Sequence, residues 1–165
     1  YESRIRKLFE LLNDDFYLSA MAQEIMNSSL TPVSLHIRRG DYLTSSFITL
    51  TEMNYYQQAI ALISIKVKSP FLYVFTNDSE WVEQEFKPKL PYKIVKGNTG
   101  PESYKDMVLM SLCRHNIIAN SSFSWWGAWL NKYEDKLVVC PQKWYPTDKM
   151  NSYINEIIPD EWIRL

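Results

Sequence analysis

The end of one apolar stretch carries an unusual set of polar side chains. Residues 33–38 read VSLHIR, and Arg39, Gly40 and Asp41 follow directly. An arginine guanidinium binds phosphate oxygens through two parallel hydrogen bonds. Because neighbouring residues of a strand point to opposite faces, we expect one arginine to reach a ligand and the other to pair with a carboxylate such as Asp41. From this segment alone, phosphate binding and a structural ion pair at a strand end both stay open.

His36 precedes Arg38 by two residues, so both side chains lie on the same face of the predicted strand. A lone histidine on a strand is commonly a core residue whose ring nitrogens are satisfied internally. Beside an arginine at the ligand-binding edge of a sheet, contact with a base or a sugar becomes the competing role. The tripeptide of residues 39–41 also spells an adhesion motif, but it lies at a strand end and is common by chance.

A second polar cluster follows another apolar run. Residues 116–119 (NIIA) lead into Asn120, Ser121, Ser122 and Ser124, and a helical pattern begins there. Serine is a good N-cap residue, and the free N–H groups of a helix start favour an anion. Plain helix capping is the alternative role for these serines. The cluster therefore predicts a phosphate site only if an arginine meets it.

Asp106 is the third candidate. It shares one helical stripe with Met110 and Cys113, at positions i, i+4 and i+7. A carboxylate on an apolar stripe is costly unless it is paired. Asp106 could pair with an arginine, or its two oxygens could accept hydrogen bonds from the N1 and N2 donors of a guanine edge.

These residues are positioned by an alternation of strands and helices. Five short apolar segments read as buried parallel strands, at 33–38, 71–76, 92–96, 116–119 and 137–140. Helical patterns cover 51–66, 79–86, 102–114 and 124–132, with a leading helix in 2–27 and a terminal one at 152–158. Asn77 and Glu80 resemble a capping box before the second of these helices. The order predicts a doubly wound, Rossmann-like α/β fold, whose ligands bind beyond the carboxyl ends of the strands.

Composition narrows the class of protein. The chain has 165 residues, a formal net charge of −1 and 46% apolar residues, which predicts one globular domain without a strongly basic nucleic-acid surface. We divide it into a leading helix and connection (1–30) and the core of the sheet (31–150).

Two cysteines, Cys113 and Cys140, are too few for a disulfide scaffold and are expected to be buried thiols. Neither a glycine-rich dinucleotide fingerprint nor a P-loop occurs, and no metal site or Asp-x-Asp pair is visible. Arginine and serine would therefore have to hold any phosphate, with no metal or other cofactor expected.

Two long motifs give the sequence a family resemblance. Residues 36–41 (HIRRGD) resemble the His-x-Arg-Arg-x-Asp motif of the α-1,2- and α-1,6-fucosyltransferase superfamily. The stretch from Asp106 through MSLCRHNIIANSSFSWWGAWL is similar to the second motif of the α-1,2-fucosyltransferases, glycosyltransferase family 11. FTNDSEWV (75–82) and PQKWYP (141–146) match in place and order, so the resemblance covers residues ~30–146.

The resemblance implies two Rossmann-like halves in a GT-B-like arrangement, with GDP-fucose held mainly by the C-terminal half. It implies inverting, metal-independent transfer of fucose to O2 of a terminal galactose on a glycan acceptor. Carried onto this chain, Arg38 would hold the β-phosphate, and Asp41 would be a candidate catalytic carboxylate. The remaining nucleotide-sugar contacts would come from His36, Asp106, Asn120, Ser121 and Ser122.

Two departures from the family pattern shape the expectations. The Gly-rich strand-turn motif of the N-terminal half does not occur here, so we expect this chain to be the donor-binding half, with that other half as its partner. Asp41 is followed by YLTSS rather than a nearby glutamate, which leaves the catalytic base unassigned. We expect a bacterial cytoplasmic location, with peripheral membrane association left open, rather than the Golgi lumen. Two alternatives to a fucosyltransferase stay open: a GDP-sugar-binding module without turnover, and an adhesion domain that binds no nucleotide.

Overall fold

Six parallel strands form one sheet in the computed structural model, which describes residues 2–9, 14–17 and 19–165. The strands are β1 (Thr31–Ile37), β2 (Pro70–Thr76), β3 (Tyr92–Ile94), β4 (His115–Ile117), β5 (Val138–Cys140) and β6 (Ile163–Arg164). Their order in the sheet is β3-β2-β1-β4-β5-β6. The five predicted strands are confirmed, and β6 adds a two-residue edge strand that was not predicted. The Rossmann-like α/β class is confirmed as well.

Helices join the strands and cover both faces of the sheet. They are α1 (Glu2–Phe9), α2 (Asp14–Tyr17), α3 (Ala20–Met26), α4 (Met53–Lys66), α5 (Ser79–Glu85), α6 (Tyr104–Leu112), α7 (Ser122–Leu130) and α8 (Asp148–Ile157). Two short 3-10 helices lie at Gly40–Thr44 and Gly100–Glu102. The four internal helices and the terminal one are confirmed, although α8 begins four residues earlier than predicted.

The prediction of one leading helix over 2–27 is wrong for the described residues, because the chain bends at Ser19 between α2 and α3; residues 10–13 and 18 lie outside the described part of the chain. The Ser19 side chain explains this division. Its hydroxyl accepts a hydrogen bond from the Ala22 N–H at 3.4 Å, so a new helix begins there.

The predicted cap of α5 is displaced by one residue. Asp78, not Asn77, is the N-cap, and its Oδ1 accepts from the Trp81 N–H at 3.2 Å. Asparagine and aspartate are equally good caps, so sequence alone could not separate them. The consequence is functional, because the Asn77 side chain is free to contact another loop.

Hydrophobic clusters on the two faces hold the helices to the sheet. On one face, α4 buries Tyr56, Ala59, Ile60 and Ile63 against β1 and β2. On the other face, α3 and α6 pack on side chains of β2 such as Tyr73 and Phe75. Cys113 and Cys140 are buried free thiols, as predicted.

Helices α6 and α7 are held in close contact with each other. A Cβ added to Gly127 of α7 would lie 2.9 Å from the Met110 Cβ of α6, so glycine permits this approach. Buried amides reinforce the contact: Asn131 donates to Asn116 Oδ1 at 2.7 Å, and Asn116 donates to the Met110 carbonyl at 2.9 Å and to Ser34 Oγ at 2.7 Å. The end of α7, the end of α6 and strands β1 and β4 are thereby connected.

Strand order reverses between β1 and β4, which makes their carboxyl ends the expected ligand crevice of an open α/β sheet. Within the described residues, no helix has both the length and the hydropathy needed to cross a bilayer.

Candidate functional site

A cavity of about 330 Å³ opens at the carboxyl edge of β1 and β2. Ligand pockets commonly occupy about 300–1,000 Å³. The cavity is lined by His36, Arg38, Phe75, Thr76, Asn77, Asn98, Thr99, Gly100, Ser103, Asp106 and Phe123. Three of the predicted site residues therefore meet in one space: His36 of β1, Arg38 directly after β1, and Asp106 of α6.

A larger groove of about 760 Å³ lies at the opposite edge, near the amino ends of β1 and β4. It is lined by residues such as Thr31, Pro32 and His115. Ligands of doubly wound sheets bind at the carboxyl edge, where strand ends and helix starts present polar groups. The smaller cavity is therefore the better candidate.

Two buried polar atoms in the wall of the cavity lack partners. Among the described residues, His36 Nδ1 and Arg38 Nε are buried without a hydrogen bond. Native proteins pair nearly all such atoms, so exceptions call for a ligand or water. Burial, and secondarily the Arg38 charge, lowers the pKa of His36 to about 3, so its ring is neutral at physiological pH. A neutral imidazole can donate one hydrogen bond and accept another.

The two arginines divide between two carboxylates. Arg38 forms an ion pair with Asp41 at 2.9 Å, whereas Arg39 pairs with Asp78 at 3.3 Å and lies 3.9 Å over the Trp81 ring. The expectation that one arginine reaches a ligand fits Arg38, whose side chain lines the cavity. The suggested Asp41 partner belongs to Arg38 instead of Arg39.

Asn77 joins the loop after β1 to the loop after β2. Its Oδ1 accepts from the Arg39 N–H at 3.0 Å, and its Nδ2 donates to Asp41 at 3.2 Å. Gly40 passes so close to the Asn77 amide that a Cβ at that position would overlap it. The Arg38 hydrogen bond, the largest cause, and that of Asn77 lower the pKa of exposed Asp41. Asp41 is therefore an ionised partner of Arg38 and a weak proton acceptor.

Asp106 lies in the first turn of α6 and is half-buried. Its Oδ1 accepts a hydrogen bond from Asn98 Nδ2 at 2.7 Å, so Asn98, and not an arginine, is its partner within the structure. Burial raises the pKa of Asp106 to about 6, although the Asn98 hydrogen bond opposes that rise. At neutral pH the group is mainly a carboxylate in an environment that disfavours its charge.

Three residues after β4 lie apart from the cavity lining. Asn120 is buried, and its side chain is engaged by Thr51 Oγ1 at 2.8 Å and the Trp144 carbonyl at 3.1 Å. Ser121 is the N-cap of α7 but makes no side-chain capping bond, and Ser122 is exposed. Their predicted ligand contacts stay predictions.

Tyr42 was missed by the sequence analysis. Its ring centre lies 5.5 Å from the Arg38 guanidinium carbon, and its hydroxyl donates to the Asn120 carbonyl at 3.3 Å. The Ser121 side chain also hydrogen-bonds the phenol, although burial, the larger effect, raises the pKa of Tyr42. Tyr42 thus lies between the predicted phosphate-binding arginine and the start of α7.

Asn98 was also missed, although a signal was present. Gly97 and Gly100 flank it and adopt φ values of 106° and 55°, in the left-handed region that favours glycine. A pair of glycines around two polar residues indicates a tight loop between a strand and a helix.

The tryptophans of α7 are absent from the cavity lining. Trp125 and Trp129 stack at 6.1 Å, and the Arg6 guanidinium lies 4.3 Å from the centre of the Trp129 ring.

Comparisons with known proteins identify relatives of this chain. The chain is 40% identical to the O-antigen biosynthesis glycosyltransferase WbnK of Escherichia coli over 162 residues, which are 96% of this chain and 51% of that protein. It is 31% identical to an α-1,2-colitosyltransferase of Escherichia coli, covering 100% of this chain and 57% of that protein. A galactoside α-(1,2)-fucosyltransferase 1 of Bos taurus is 30% identical over 61% of this chain and 29% of its own length.

The chain thus spans about half the length of the bacterial relatives that it matches. The family model for glycosyl transferase family 11 matches residues 11–165, a range that includes both β1 with its arginines and α6–α7. With a Rossmann-like sheet, and polar residues from both motifs gathered at its carboxyl edge, the chain belongs to glycosyl transferase family 11.

Proposed function

We propose that this chain is the donor-binding part of an inverting, metal-independent transferase that moves fucose from GDP-fucose to O2 of a galactoside. The observation that carries the proposal is the single cavity that contains both Arg38 and Asp106. A cation suits the diphosphate, and a carboxylate suits the paired N–H donors of guanine. The unpaired buried atoms of His36 and Arg38 are further groups for the donor to satisfy.

Arg38 is the residue to which we assign the main chemical role. When the bond between the fucose anomeric carbon and the β-phosphate oxygen breaks, its electron pair stays on GDP and negative charge grows there. A fixed guanidinium stabilises that charge more in the transition state than in the ground state. Asp41 and Tyr42 hold the guanidinium, so we assign them positioning roles.

The acceptor hydroxyl attacks the anomeric carbon from the side opposite the departing diphosphate, which inverts the configuration. Its proton goes to a base that we leave unassigned. Asp41 is a poor choice because its ion pair with Arg38 stabilises the carboxylate form. Acceptor contacts and the base are proposed to come from a second, N-terminal half of the enzyme.

The names of the relatives include two different donor sugars. One relative is named for colitose and several for fucose, whereas both names share the α-1,2 linkage. We choose fucose because the two sequence motifs resemble those of the fucosyltransferases. A GDP-sugar-binding module without turnover is the second candidate, and Arg38 and Asp106 would serve it equally.

Calorimetric titration with GDP and with UDP tests the nucleotide part. We expect the chain to bind GDP, and Asp106→Ala to weaken GDP about tenfold or more while UDP changes little, because only guanine offers two adjacent donors. Glu102→Ala is a matched control, since that carboxylate is exposed and pairs with Lys105. Equal losses for GDP and UDP would contradict the guanine assignment.

Transfer assays on the complete enzyme test the remainder. Release of GDP from GDP-fucose in the presence of a galactoside, with undiminished rate in excess EDTA, is the expected result. GDP binding without any transfer would favour the binding module. Loss of transfer in EDTA that Mg²⁺ or Mn²⁺ restores would overturn metal independence.

A further inference from the structure

The loop between β3 and α6 places one amide side chain at the cavity. Asn98 lies between Gly97 and Gly100, whose positive φ values let the chain turn sharply before α6. Asn98 is partly buried and lines the cavity together with Thr99, Ser103 and Asp106. The backbone of this loop therefore fixes where the amide can point.

The Asn98 amide and the Asp106 carboxylate form a direct pair, with 2.7 Å between Nδ2 and Oδ1. The backbone that carries Asp106 is held in place, because Val108, Leu109 and Met110 of the same helix are buried. A carboxylate has two oxygens and about four acceptor positions, so one amide donor leaves room for two more. The pair limits rotation of the carboxylate about its terminal bond, a torsion that is otherwise broad.

We infer that Asn98 is the positioning residue that sets the base preference of this site, because it holds Asp106 in the orientation that accepts two adjacent N–H donors. The inference rests on the proposed function and goes further than it, since it names the residue that makes Asp106 selective. Guanine presents N1–H and the 2-amino group to such a carboxylate. Hypoxanthine lacks the 2-amino group, and adenine presents an acceptor at N1.

Asn98 also affects the pH range in which the carboxylate is available. Burial raises the pKa of Asp106 to about 6, and the hydrogen bond from Asn98 opposes that rise. The other charged or titratable groups on α3 and α6 and in the cavity lining are engaged elsewhere or supply no charge. His36 is neutral, Arg38 pairs with Asp41, Lys105 with Glu102, and Glu24 of α3 with Lys93. The remaining groups are the exposed phenol of Tyr104 and the thiol of Cys113, whose pKa burial raises. Without the Asn98 donor, Asp106 is protonated at a higher pH.

The test compares the wild-type chain with Asn98→Ala by calorimetry, using GDP, IDP and UDP at several pH values. We expect Asn98→Ala to weaken GDP about tenfold, to bring the GDP/IDP affinity ratio close to one, and to leave UDP unchanged. The pH at which GDP affinity falls by half should move upward in the variant, because binding requires ionised Asp106. Asn54→Ala, an exposed asparagine of α4, is the matched control and should bind all three nucleotides as the wild type does.

Several outcomes would overturn the inference. Tighter GDP binding by Asn98→Ala would mean that Asn98 occupies the place of the base and must leave it. An unchanged GDP/IDP ratio with an unchanged pH midpoint would mean that Asn98 serves the loop alone. If Asn98→Ala unfolds, Asn98→Ser is measured instead, because serine suits turns and is too short to keep the hydrogen bond as it stands.

Failure of the inference and failure of the proposed function give different results. If the wild-type chain binds no GDP, the proposed function fails. If the wild type binds GDP and Asp106→Ala abolishes the preference over UDP, but Asn98→Ala changes neither ratio nor midpoint, the inference alone fails.

Discussion

The guanidinium carbon of Arg38 lies 5.5 Å from the centre of the Tyr42 ring. Cation–π contacts at this range contribute about 0.5–2 kcal/mol, depending on exposure. The Tyr42 hydroxyl donates in turn to the Asn120 carbonyl in the loop after β4. Tyr42 therefore fixes the distance between the loop after β1 and the start of α7, the two segments that we expect to meet the diphosphate.

Tyr42→Phe keeps the ring and removes the hydroxyl, so it tests that connection. We expect GDP affinity to fall about three- to tenfold, the effect of a typical neutral hydrogen bond, while guanosine affinity stays unchanged because the base is held elsewhere. Calorimetry with both ligands measures the difference. Tyr153→Phe, on an exposed residue of α8, is the control. Equal losses for GDP and guanosine would show that Tyr42 supports the whole cavity.

Arg38→Ala should weaken GDP about 10- to 100-fold, because charge-assisted hydrogen bonds to phosphate contribute about 1.5–3 kcal/mol. Guanosine should bind nearly as before, and transfer by the complete enzyme should cease. Lys68→Ala, an exposed cation near the amino edge of the sheet, is the control for a simple loss of charge. Near-normal turnover would remove Arg38 from the role that we give it.

Gly40→Ala should disturb the loop after β1, which carries Arg38 and Arg39, through its contact with Asn77. The added methyl group would overlap the Asn77 amide, which bonds both the Arg39 N–H and Asp41. We expect a loss of about 1–3 kcal/mol in the free energy of unfolding and several-fold weaker GDP binding. Urea unfolding and calorimetry measure the two effects.

A double-mutant cycle separates this overlap from a general effect of alanine. Asn77→Ala removes the obstacle, so Gly40→Ala combined with Asn77→Ala should be little worse than Asn77→Ala alone. Strictly additive losses would refute the close approach as the reason for glycine at this position.

Acid stability should depend on two cavity residues with opposite sign. The pKa of His36 is lowered from 6.5 to about 3, so between those values the unfolded chain binds a proton that the folded chain does not, and stability falls as pH falls. The pKa of Asp106 is raised from 3.8 to about 6, so in that range the folded chain holds the extra proton and stability rises as pH falls.

His36→Gln should therefore flatten the acid loss of stability, and Asp106→Asn should steepen it. Urea unfolding at about pH 7 and about pH 5 measures the slopes, because the ordinary histidine pKa of 6.5 and the raised Asp106 pKa of about 6 both lie between these two pH values. His115, whose pKa burial also lowers, is present in both variants and contributes equally to both slopes. Parallel slopes in all three proteins would contradict the burial of His36 as the cause.

The sheet could be predicted because its central strands are continuous apolar runs. VSLHIR, FLYVFT and LVVC each fall on a strand, and the alternation with helices gives the parallel order. β6 could not be predicted, since Ile163 and Arg164 carry no periodic pattern and become a strand only by pairing with β5. The leading helix was predicted as continuous because apolar spacing does not register a hydroxyl cap such as Ser19.

The candidate site was predictable only in part, because some of its residues lie in loops that have no periodic pattern. Residues at strand ends and on helix stripes, such as Arg38 and Asp106, follow from the positions of the elements. Tyr42 and Asn98 lie in irregular loops, where side-chain direction depends on turns and on contacts far along the chain. The ion-pair partner of Asp41 could not be predicted from the sequence either, because whether Asp41 meets Arg38 or Arg39 depends on the turn at Gly40.

The contact between α6 and α7 at Gly127 has a consequence for selectivity by ligand length. Asp106 lies in the first turn of α6 and Ser121 is the N-cap of α7, so we expect the packing of these two helices to set the distance between the proposed base and phosphate contacts. We therefore expect the site to distinguish mono-, di- and triphosphates of the same nucleoside. A bulkier residue at Gly127 would push α7 away from α6 and so change that distance, although Gly127 itself does not line the cavity.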